Sequence, residues 1–389
     1  MMTNNYNATI RRRPTTKRAL LVGISYRNWG GQEWGRLPTS IPNVKKFKDF
    51  LQGHRGYADA EITVMTDEDG VEERLQPTRA NLKHQIEALR RGVKPGDRLI
   101  FYFTGHSSQS ICRSGSEEDG LDETLVPLDG LEIKDNDLHE WLVKDLPKRS
   151  ALTAIFDCCN SGTLLDLPHF KCNNVYRPWV NKGIRSSRSL CNYNVRKNCR
   201  GSFFGSSIGS GDQFPSLTQV VRAMESRQAR APLSDEATGK HLGGRCASPE
   251  RMFECDGWCR KRMQTIGALP HADVISISSS GDGQISYDAS TRDGGSLSMT
   301  TFLIDILTKD PQLTYSQLMT SLNHKVYSFT RGMHSVVRQQ RRDRREADRK
   351  NPSFKNAVAP EEDKGEMDNF QDLQLGSITP LDMDRIFML

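Results

Sequence analysis

Apolar runs typical of β-strands alternate along this chain with segments that have helical periodicity. The strand-like runs are Arg18–Ser25, Ile62–Met65, Asp97–Thr104, Ala151–Phe156 and Ala272–Ser279. The helical patterns are Pro42–Gly53, a helix capped by Thr78, Leu138–Val143, Ser298–Leu307 and Tyr315–Phe329. Strands that alternate with helices favour a mainly parallel central sheet with helices on both faces, so the fold class is α/β.

The pattern is interrupted between residues 167 and 270. This segment is rich in Ser, Gly, Arg and Asn, and from Lys171 to Pro270 it has 17 Lys and Arg against 7 Asp and Glu. A compact domain rarely contains so long a loop without structure. We therefore predict a single domain of two parts, residues 17–166 and 271–389, with a partly disordered insertion at 167–270 and a short disordered basic tail at 1–16.

Composition narrows the classes of protein. Nine Cys are spread over 389 residues, the chain starts without an apolar leader, and no run approaches the ~20 apolar residues of a membrane span. Reduced thiols, a cytoplasmic location and no membrane partner are expected. The basic cluster Arg11–Pro14 leaves a nuclear location open. Because the excess positive charge is confined to the insertion, no nucleic-acid partner is expected.

Two of the predicted strands end in reactive side chains. Residues 153–163 read Thr-Ala-Ile-Phe-Asp-Cys-Cys-Asn-Ser-Gly-Thr, so Cys158 and Cys159 follow a strand, and His106 follows another strand, 53 residues earlier. The carboxyl ends of parallel strands open onto one edge of the sheet. A thiolate is a nucleophile that needs a base or a lowered pKa to form near neutral pH. The spacing therefore predicts a Cys–His pair.

The ordered motifs resemble those of the type I metacaspases. They are Lys17–Tyr26, Pro77–Asn81, Gly105-His106, Asp119–Glu123 and Asp157–Gly162, and Gln374–Leu381 resembles the family's closing strand. The resemblance covers Lys17 to about Asp166 and Asp273 to Leu389. It implies a caspase-like fold and a calcium-dependent cysteine endopeptidase that cleaves protein substrates after Arg or Lys.

The resemblance also implies the site residues. The second thiol of the pair, Cys159, would be the nucleophile and His106 the proton carrier, with the amides of Ser107 and Cys159 as oxyanion donors. Asp157 and Asn43 would line the pocket for the basic P1 side chain. The family has a second acid where Asn43 stands, so we expect a basic preference that is kept but weakened. Asp157 could instead only cap the turn.

A calcium site is implied at Asp119, Asp135, Asn136 and Asp166. Hard cations such as Ca²⁺ take several carboxylate and carbonyl oxygens. The family has Asp at position 136, so Asn136 should lower the affinity. The alternative is that the acidic run Glu117–Glu123 is an ordinary solvated loop.

The basic insertion offers sites for self-cleavage, which would raise activity. The basic residues available there include Lys171, Arg177, Lys182, Arg185 and Arg188. A second hypothesis is a caspase-fold scaffold or regulator with little proteolysis, supported by the departures from the family pattern at Asn43, Ser107, Asn136 and Asn160. The resemblance favours a monomer.

Overall fold

The computed structural model describes residues 15–29, 34–112, 120–170, 172–173, 175, 272–282, 284, 286–290, 296–350 and 371–389. The strands are β1 (Lys17–Gly23), β2 (Ile62–Thr66), β3 (Arg98–Thr104), β4 (Ser107–Ile111), β5 (Leu121–Leu125), β6 (Ile133–Lys134), β7 (Ala151–Asp157), β8 (Asp273–Ser278), β9 (Ala289–Ser290), β10 (Ser296–Leu297) and β11 (Gln374–Ser377). The α-helices are α1 (Ser40–Arg55), α2 (Arg79–Arg90), α3 (Asp135–Leu142), α4 (Met299–Lys309) and α5 (Tyr315–Lys350).

Six strands form the central sheet, in the order β11-β8-β7-β3-β1-β2. Every neighbouring pair is parallel except β11 with β8. The parallel strands are buried on both faces, which explains why they read as continuous apolar runs in the sequence. The mainly parallel α/β fold expected from the sequence is confirmed.

Alternation along each strand divides the core into two hydrophobic clusters. On β1, Leu21 faces the cluster that contains the apolar sides of α1, α4 and α5, while Leu20 and Val22 face the cluster with α2 and α3. Successive side chains on a strand point to opposite faces, so one short apolar run supplies both clusters. The sheet is therefore a middle layer between the two sets of helices.

Helix boundaries follow their capping residues. The Thr78 hydroxyl accepts from the Asn81 N–H at 3.3 Å, as predicted, and the Ser298 hydroxyl accepts from the Thr301 N–H at 3.4 Å. The prediction for α3 was too short, since this helix begins at Asp135. The charged stretch after Phe329 continues α5 through to Lys350.

Five short strands were missed in the sequence analysis, namely the pair β9 and β10 and the three strands β4, β5 and β6. β4, β5 and β6 form a separate antiparallel sheet directly after His106. Asp122 and Glu123 on β5 are buried, so at these two positions the alternative of a solvated acidic loop is wrong. The strand β5 was not predicted because Asp122 and Glu123 are charged, and charged side chains are rarely buried without partners. Here Lys134 donates to Asp122 at 2.5 Å and Thr163 donates to Glu123 at 2.7 Å.

Most of the predicted insertion, and residues 1–14 of the predicted tail at 1–16, lie outside the described residues. The insertion's first residues are described and contact β11. His169 forms a backbone bridge with Ser377, and the Asn173 side chain donates to the Leu375 carbonyl oxygen at 3.2 Å. None of the helices in the described ranges is both long enough and apolar enough to cross a bilayer.

Candidate active site

The strand register brings the two predicted reactive side chains to one edge. Thr104 at the end of β3 is directly beside Asp157 at the end of β7. His106 and Cys159 each lie two residues beyond that pair. Equal offsets from neighbouring strand ends bring both residues to the same rim of the sheet, and both line one cleft of about 340 Å³, measured with its open mouth included.

The His106 ring is held on three sides. Its Nε2 lies 2.7 Å from the Gly35 carbonyl oxygen, and its ring packs between Tyr26 and Trp34, with centroids 4.6 and 5.0 Å away. A carbonyl oxygen only accepts, so Nε2 bears the proton and Nδ1 has the lone pair in the neutral ring. Burial lowers the pKa of His106 to about 4. The neutral imidazole is therefore the resting form near pH 7, and it is a base.

Cys159 is half-buried and Cys158 is buried. The Ser286 N–H donates to Cys159 Sγ at 3.3 Å. An N–H directed at sulfur stabilises negative charge there. Burial raises the pKa of the Cys158 thiol well above its ordinary value, so Cys158 stays a protonated packing residue.

The Cys159 N–H is oriented by the peptide unit it shares with Cys158. The Cys158 carbonyl oxygen accepts from the hydroxyls of Ser161, Ser279 and Ser280 at 2.9, 2.9 and 3.2 Å. In a trans peptide the C=O and the N–H point in opposite directions, and no cis bond occurs in the described chain. The Cys159 N–H therefore points away from these serines.

The Ser107 N–H is oriented by the β4–β5 ladder. The Val126 N–H donates to the His106 carbonyl oxygen at 3.0 Å, and Ser107 is opposite Leu125 in the next pair. Hydrogen-bonded and non-bonded pairs alternate in antiparallel ladders, so the Ser107 N–H points away from β5. The Ser107 hydroxyl donates to the Cys159 carbonyl oxygen, which fixes the two predicted oxyanion residues next to each other.

Asp157 is at the buried end of the cleft. Its Oδ2 accepts from the Thr300 N–H at 3.0 Å and from the Thr300 hydroxyl at 2.6 Å, in the first turn of α4. Burial raises the pKa of Asp157, and these hydrogen bonds oppose that increase. Because the helix N-terminus favours negative charge, the site is built to hold a carboxylate. Asp157 therefore binds the first turn of α4, and its role in the pocket for P1 stays a prediction.

Asn43 lines the same cleft and is almost fully buried. Its Oδ1 accepts from the Ser296 hydroxyl. Asp288 lines the cleft as well, although the sequence analysis did not single it out. Its Oδ2 accepts from the Thr39 hydroxyl, one helical turn before Asn43. The cleft thus contains two carboxyl groups rather than the one that was predicted.

Comparisons with known proteins find relatives that match most of this chain. The family model described as metacaspase, peptidase C14 domain, matches residues 17–168. Metacaspase-1 of Mycosarcoma maydis is 32% identical over 315 residues, which are 79% of this chain and 66% of the relative. Metacaspase-1A of Aspergillus niger is 31% identical over 326 residues, or 82% of this chain and 70% of the relative.

The chain belongs to the metacaspase family. Membership confirms the resemblance and assigns the fold to a family of cysteine-type peptidases. The chain spans about two thirds of the length of these relatives. Among solved structures, a Geobacter sulfurreducens protein covers 80% of this chain and 89% of its own at 17% identity, with a TM-score of 0.41 that is too low to support an argument.

The positions expected to bind calcium are only partly brought together. Asp135 is fully buried, and its carboxylate accepts from the N–H groups of Glu123 and Asn136 at 2.8 and 2.6 Å. His139 Nδ1 lies 2.8 Å from the Leu165 carbonyl oxygen, which places α3 beside the turn that contains Asp166.

Asp119 lies outside the described residues. Within the described ranges, no three His, Cys, Asp or Glu side chains form a group that could hold a metal ion. The described residues therefore fit a cation site only in part, and the metal assignment stays a prediction.

Two departures from the family pattern are accommodated locally. Asn160 has a left-handed backbone (φ 45°), which Asn tolerates better than most residues, and its Nδ2 donates to the Asp282 carbonyl oxygen at 2.5 Å. The Ser107 hydroxyl has its partner on Cys159. Neither substitution displaces Cys159 or His106 from the cleft.

Several groups at the site left no sequence signal. Gly35 contributes a carbonyl oxygen, which any residue has. Ser286 contributes a backbone N–H to the sulfur. Thr300 is the exception. It follows Ser298, which caps the start of α4, and a helix N-terminus near a strand end could have been predicted as an anion site.

Proposed function

We propose that this metacaspase is a cysteine endopeptidase that cleaves after Arg or Lys, with Cys159 as the nucleophile and His106 as the proton carrier. The observation that supports this most directly is the register of Thr104 with Asp157, which brings His106 and Cys159 into one cleft above a buried carboxylate. The proposal gives each of these three side chains a separate chemical task.

The reaction begins with proton transfer from the Cys159 thiol to Nδ1 of His106, because Nε2 donates to Gly35. The sulfur then attacks the scissile carbonyl carbon, and the C=O electron pair moves onto oxygen. The amides of Ser107 and Cys159 donate to that oxyanion. Collapse breaks the C–N bond, and the imidazolium protonates the leaving amine. Water, deprotonated by His106, then hydrolyses the acyl-enzyme and restores the thiol.

Specificity for a basic P1 side chain follows from Asp157. A buried carboxylate that is already hydrogen-bonded binds a guanidinium or ammonium group through charge-assisted hydrogen bonds. Thr300 fixes the orientation of Asp157 before the substrate arrives, so little reorganisation is needed. An acidic P1 side chain would meet like charge in the same pocket.

The test is hydrolysis of fluorogenic peptides with Arg or Asp at P1, with and without Ca²⁺. We expect turnover of the Arg peptide only, and its loss in Cys159→Ala. Cys172→Ala is the matched control, since Cys172 is a half-buried thiol that does not line the cleft. Lack of turnover with intact folding would instead support the scaffold hypothesis.

We propose that Ca²⁺ binds through Asp119, Asp135, Asn136 and Asp166 and is needed for full activity. The contact between His139 and Leu165 supports this, because it brings two of the three segments together. Isothermal titration with CaCl₂ and with MgCl₂ tests the binding itself. Selective binding of Ca²⁺ that Asp166→Asn weakens is expected, and equal heats for both cations would contradict the assignment.

We also propose that the protein cuts its own insertion after basic residues. The charge excess of residues 171–270 supports this, because each Lys or Arg there is a P1 side chain of the expected type. Mass spectrometry of Ca²⁺-treated protein should give fragments that end in Lys or Arg. An intact wild-type chain, identical to Cys159→Ala, would contradict self-cleavage.

A further inference from the structure

The cleft contains more acid than the catalytic mechanism uses. Its titratable lining residues are His106, Asp157, Cys158, Cys159 and Asp288, and none of the described residues that line it is Lys or Arg. Among the described residues, the cleft lining therefore has two acidic side chains and no basic side chain to compensate them. Asp288 has no part in proton transfer or oxyanion stabilisation, so its presence needs another explanation.

The position of Asp288 is fixed from two sides. It directly precedes β9, in the loop that also brings Ser286 to the Cys159 sulfur. On the opposite side, the Thr39 hydroxyl at the start of α1 donates to its carboxylate. Asn43 is four residues beyond Thr39 on the same face of α1. Asn43, Asp157 and Asp288 line the same cleft, so a basic side chain that reaches Asp157 would enter a pocket that also contains Asp288.

We propose that Asp288 is the second carboxylate of the P1 pocket and supplies from the β8–β9 loop the negative charge that position 43 lacks in this chain. The inference rests on the proposed function, which it deepens. It revises the expectation of a weakened basic preference, because the pocket has two acids after all. Asp157 and Asp288 then bind one guanidinium or ammonium group together.

Electrostatics give the pair a pH dependence. Burial, and next the charge of Asp157, raise the pKa of Asp288 to about 7. The groups that face it from β3 and β7 are His106, Cys159 and Asp157, while α1 and the residues before α4 contribute only uncharged side chains to the cleft lining. Two nearby carboxylates in a buried site resist double ionisation.

A bound cation relieves that repulsion and favours loss of the Asp288 proton. Binding of a basic P1 group should consequently tighten as the pH rises through about 7. A neutral P1 side chain gains nothing from that ionisation, so its binding should lack this dependence.

Benzamidine, a cationic analogue of the arginine side chain, tests the pocket without catalysis. We expect Asp288→Asn to weaken benzamidine binding roughly 10- to 100-fold, as for the loss of one hydrogen bond to a charged group. The pH dependence of binding near neutrality should disappear in the same variant. Asp384→Asn is the matched control, because Asp384 is exposed and does not line the cleft.

A rescue experiment separates this role from a structural one. In the double variant Asn43→Asp/Asp288→Asn, the second acid is restored on the opposite wall, so binding of benzamidine and kcat/KM for Arg peptides should return to within a few-fold of wild type. Unchanged binding in Asp288→Asn would overturn the proposal, and so would a loss that Asn43→Asp fails to restore.

The same measurements keep the two proposals apart. If the wild type binds benzamidine with the expected pH dependence but hydrolyses no peptide, the endopeptidase proposal fails and the role of Asp288 in binding cations stands. If the wild type cleaves Arg peptides and Asp288→Asn does so equally well, the endopeptidase proposal stands and the proposed role of Asp288 fails. Thermal melts of each variant confirm that it is folded.

Discussion

His106 Nε2 is 2.7 Å from the carbonyl oxygen of Gly35, so in the neutral ring Nε2 bears the proton and Nδ1 has the lone pair. The carbonyl fixes the tautomer, and burial between Tyr26 and Trp34 lowers the pKa of His106 to about 4. In the proposed mechanism, Cys159 therefore meets a neutral base rather than a preformed imidazolium. This relationship determines the protonation state from which the reaction starts.

The first prediction concerns that protonation state. Nitrogen-15 NMR of the imidazole should show a protonated Nε2 and an unprotonated Nδ1 from pH 8 down to pH 5, because the folded pKa is about 4. Since the unfolded ring binds a proton near pH 6.5, stability should also fall as the pH drops from about 6.5 towards 4. Titration of the folded ring near 6.5 would contradict this account.

The adjacent thiols should differ sharply in reactivity. Cys158 is buried and its pKa is raised well above the ordinary value, whereas Cys159 is half-buried in the cleft. Iodoacetamide should modify Cys159 first, as read by fragment mass spectrometry. Cys158→Ala should keep activity within a few-fold, while Cys159→Ala abolishes it. Comparable alkylation of both thiols in folded protein would count against the assignment.

Thr300 should act on P1 recognition through Asp157. Thr300→Val removes the 2.6 Å hydroxyl contact and leaves the backbone N–H in place. We expect kcat/KM for Arg peptides to fall by roughly tenfold or more, the size of one hydrogen bond to a charged group. Alkylation of Cys159 should not change, and Thr300→Ser should behave like wild type. Equal losses in both variants would indicate disturbed packing of α4 instead.

Ionisation of Asp288 should lower the free energy of unfolding at high pH. Its folded pKa of about 7 is above the unfolded value, so the unfolded chain binds fewer protons between about pH 4 and 7, and the free energy of unfolding falls as the pH rises through that window. Asp288→Asn should remove this slope, with an upper bound of roughly 4 kcal/mol at pH 8. Urea unfolding at pH 5 and pH 8 measures it. A variant less stable than wild type at pH 8 would contradict the expectation.

The Ser107 hydroxyl should contribute to stability more than to catalysis. It donates to the Cys159 carbonyl oxygen, and Ser107→Ala removes that hydrogen bond while the backbone N–H stays. A loss of about 1 kcal/mol in the free energy of unfolding is expected, with kcat/KM within a few-fold of wild type. A hundredfold drop in kcat with normal stability would mean that the hydroxyl itself takes part in the reaction.

The sequence predicted those parts of the molecule whose periodicity and composition agree. The runs ending at Thr104 and Phe156 are apolar on both faces, so their place in a parallel sheet could be read directly. β5 was missed because Asp122 and Glu123 are buried through specific partners, which a one-dimensional pattern does not display. The strand could not be predicted because its burial depends on contacts with residues that are distant in the sequence.

In the site, too, the residues at strand ends were predicted and the residue in a loop was not. Cys159, His106 and Asp157 directly follow or end strands, and their convergence depends only on strand order and register. Asp288 is in an irregular loop between β8 and β9, where no periodicity marks its direction. Its place beside α1 and β7 is visible only in the folded structure, where all three line one cleft. Residue type alone does not distinguish it from other acids of the chain.

The ladder between β7 and β8 runs in parallel from Ala151 opposite Asp273 to Phe156 opposite Ser278. These strands are neighbours in space although about a hundred residues separate them along the chain. A backbone break in the intervening stretch would yield two polypeptides that co-purify as a heterodimer, joined through the middle of one sheet. Under the proposed function, the nucleophile Cys159 would then belong to one fragment and the P1 acid Asp288 to the other, so cleavage of an arginyl bond would need both fragments together.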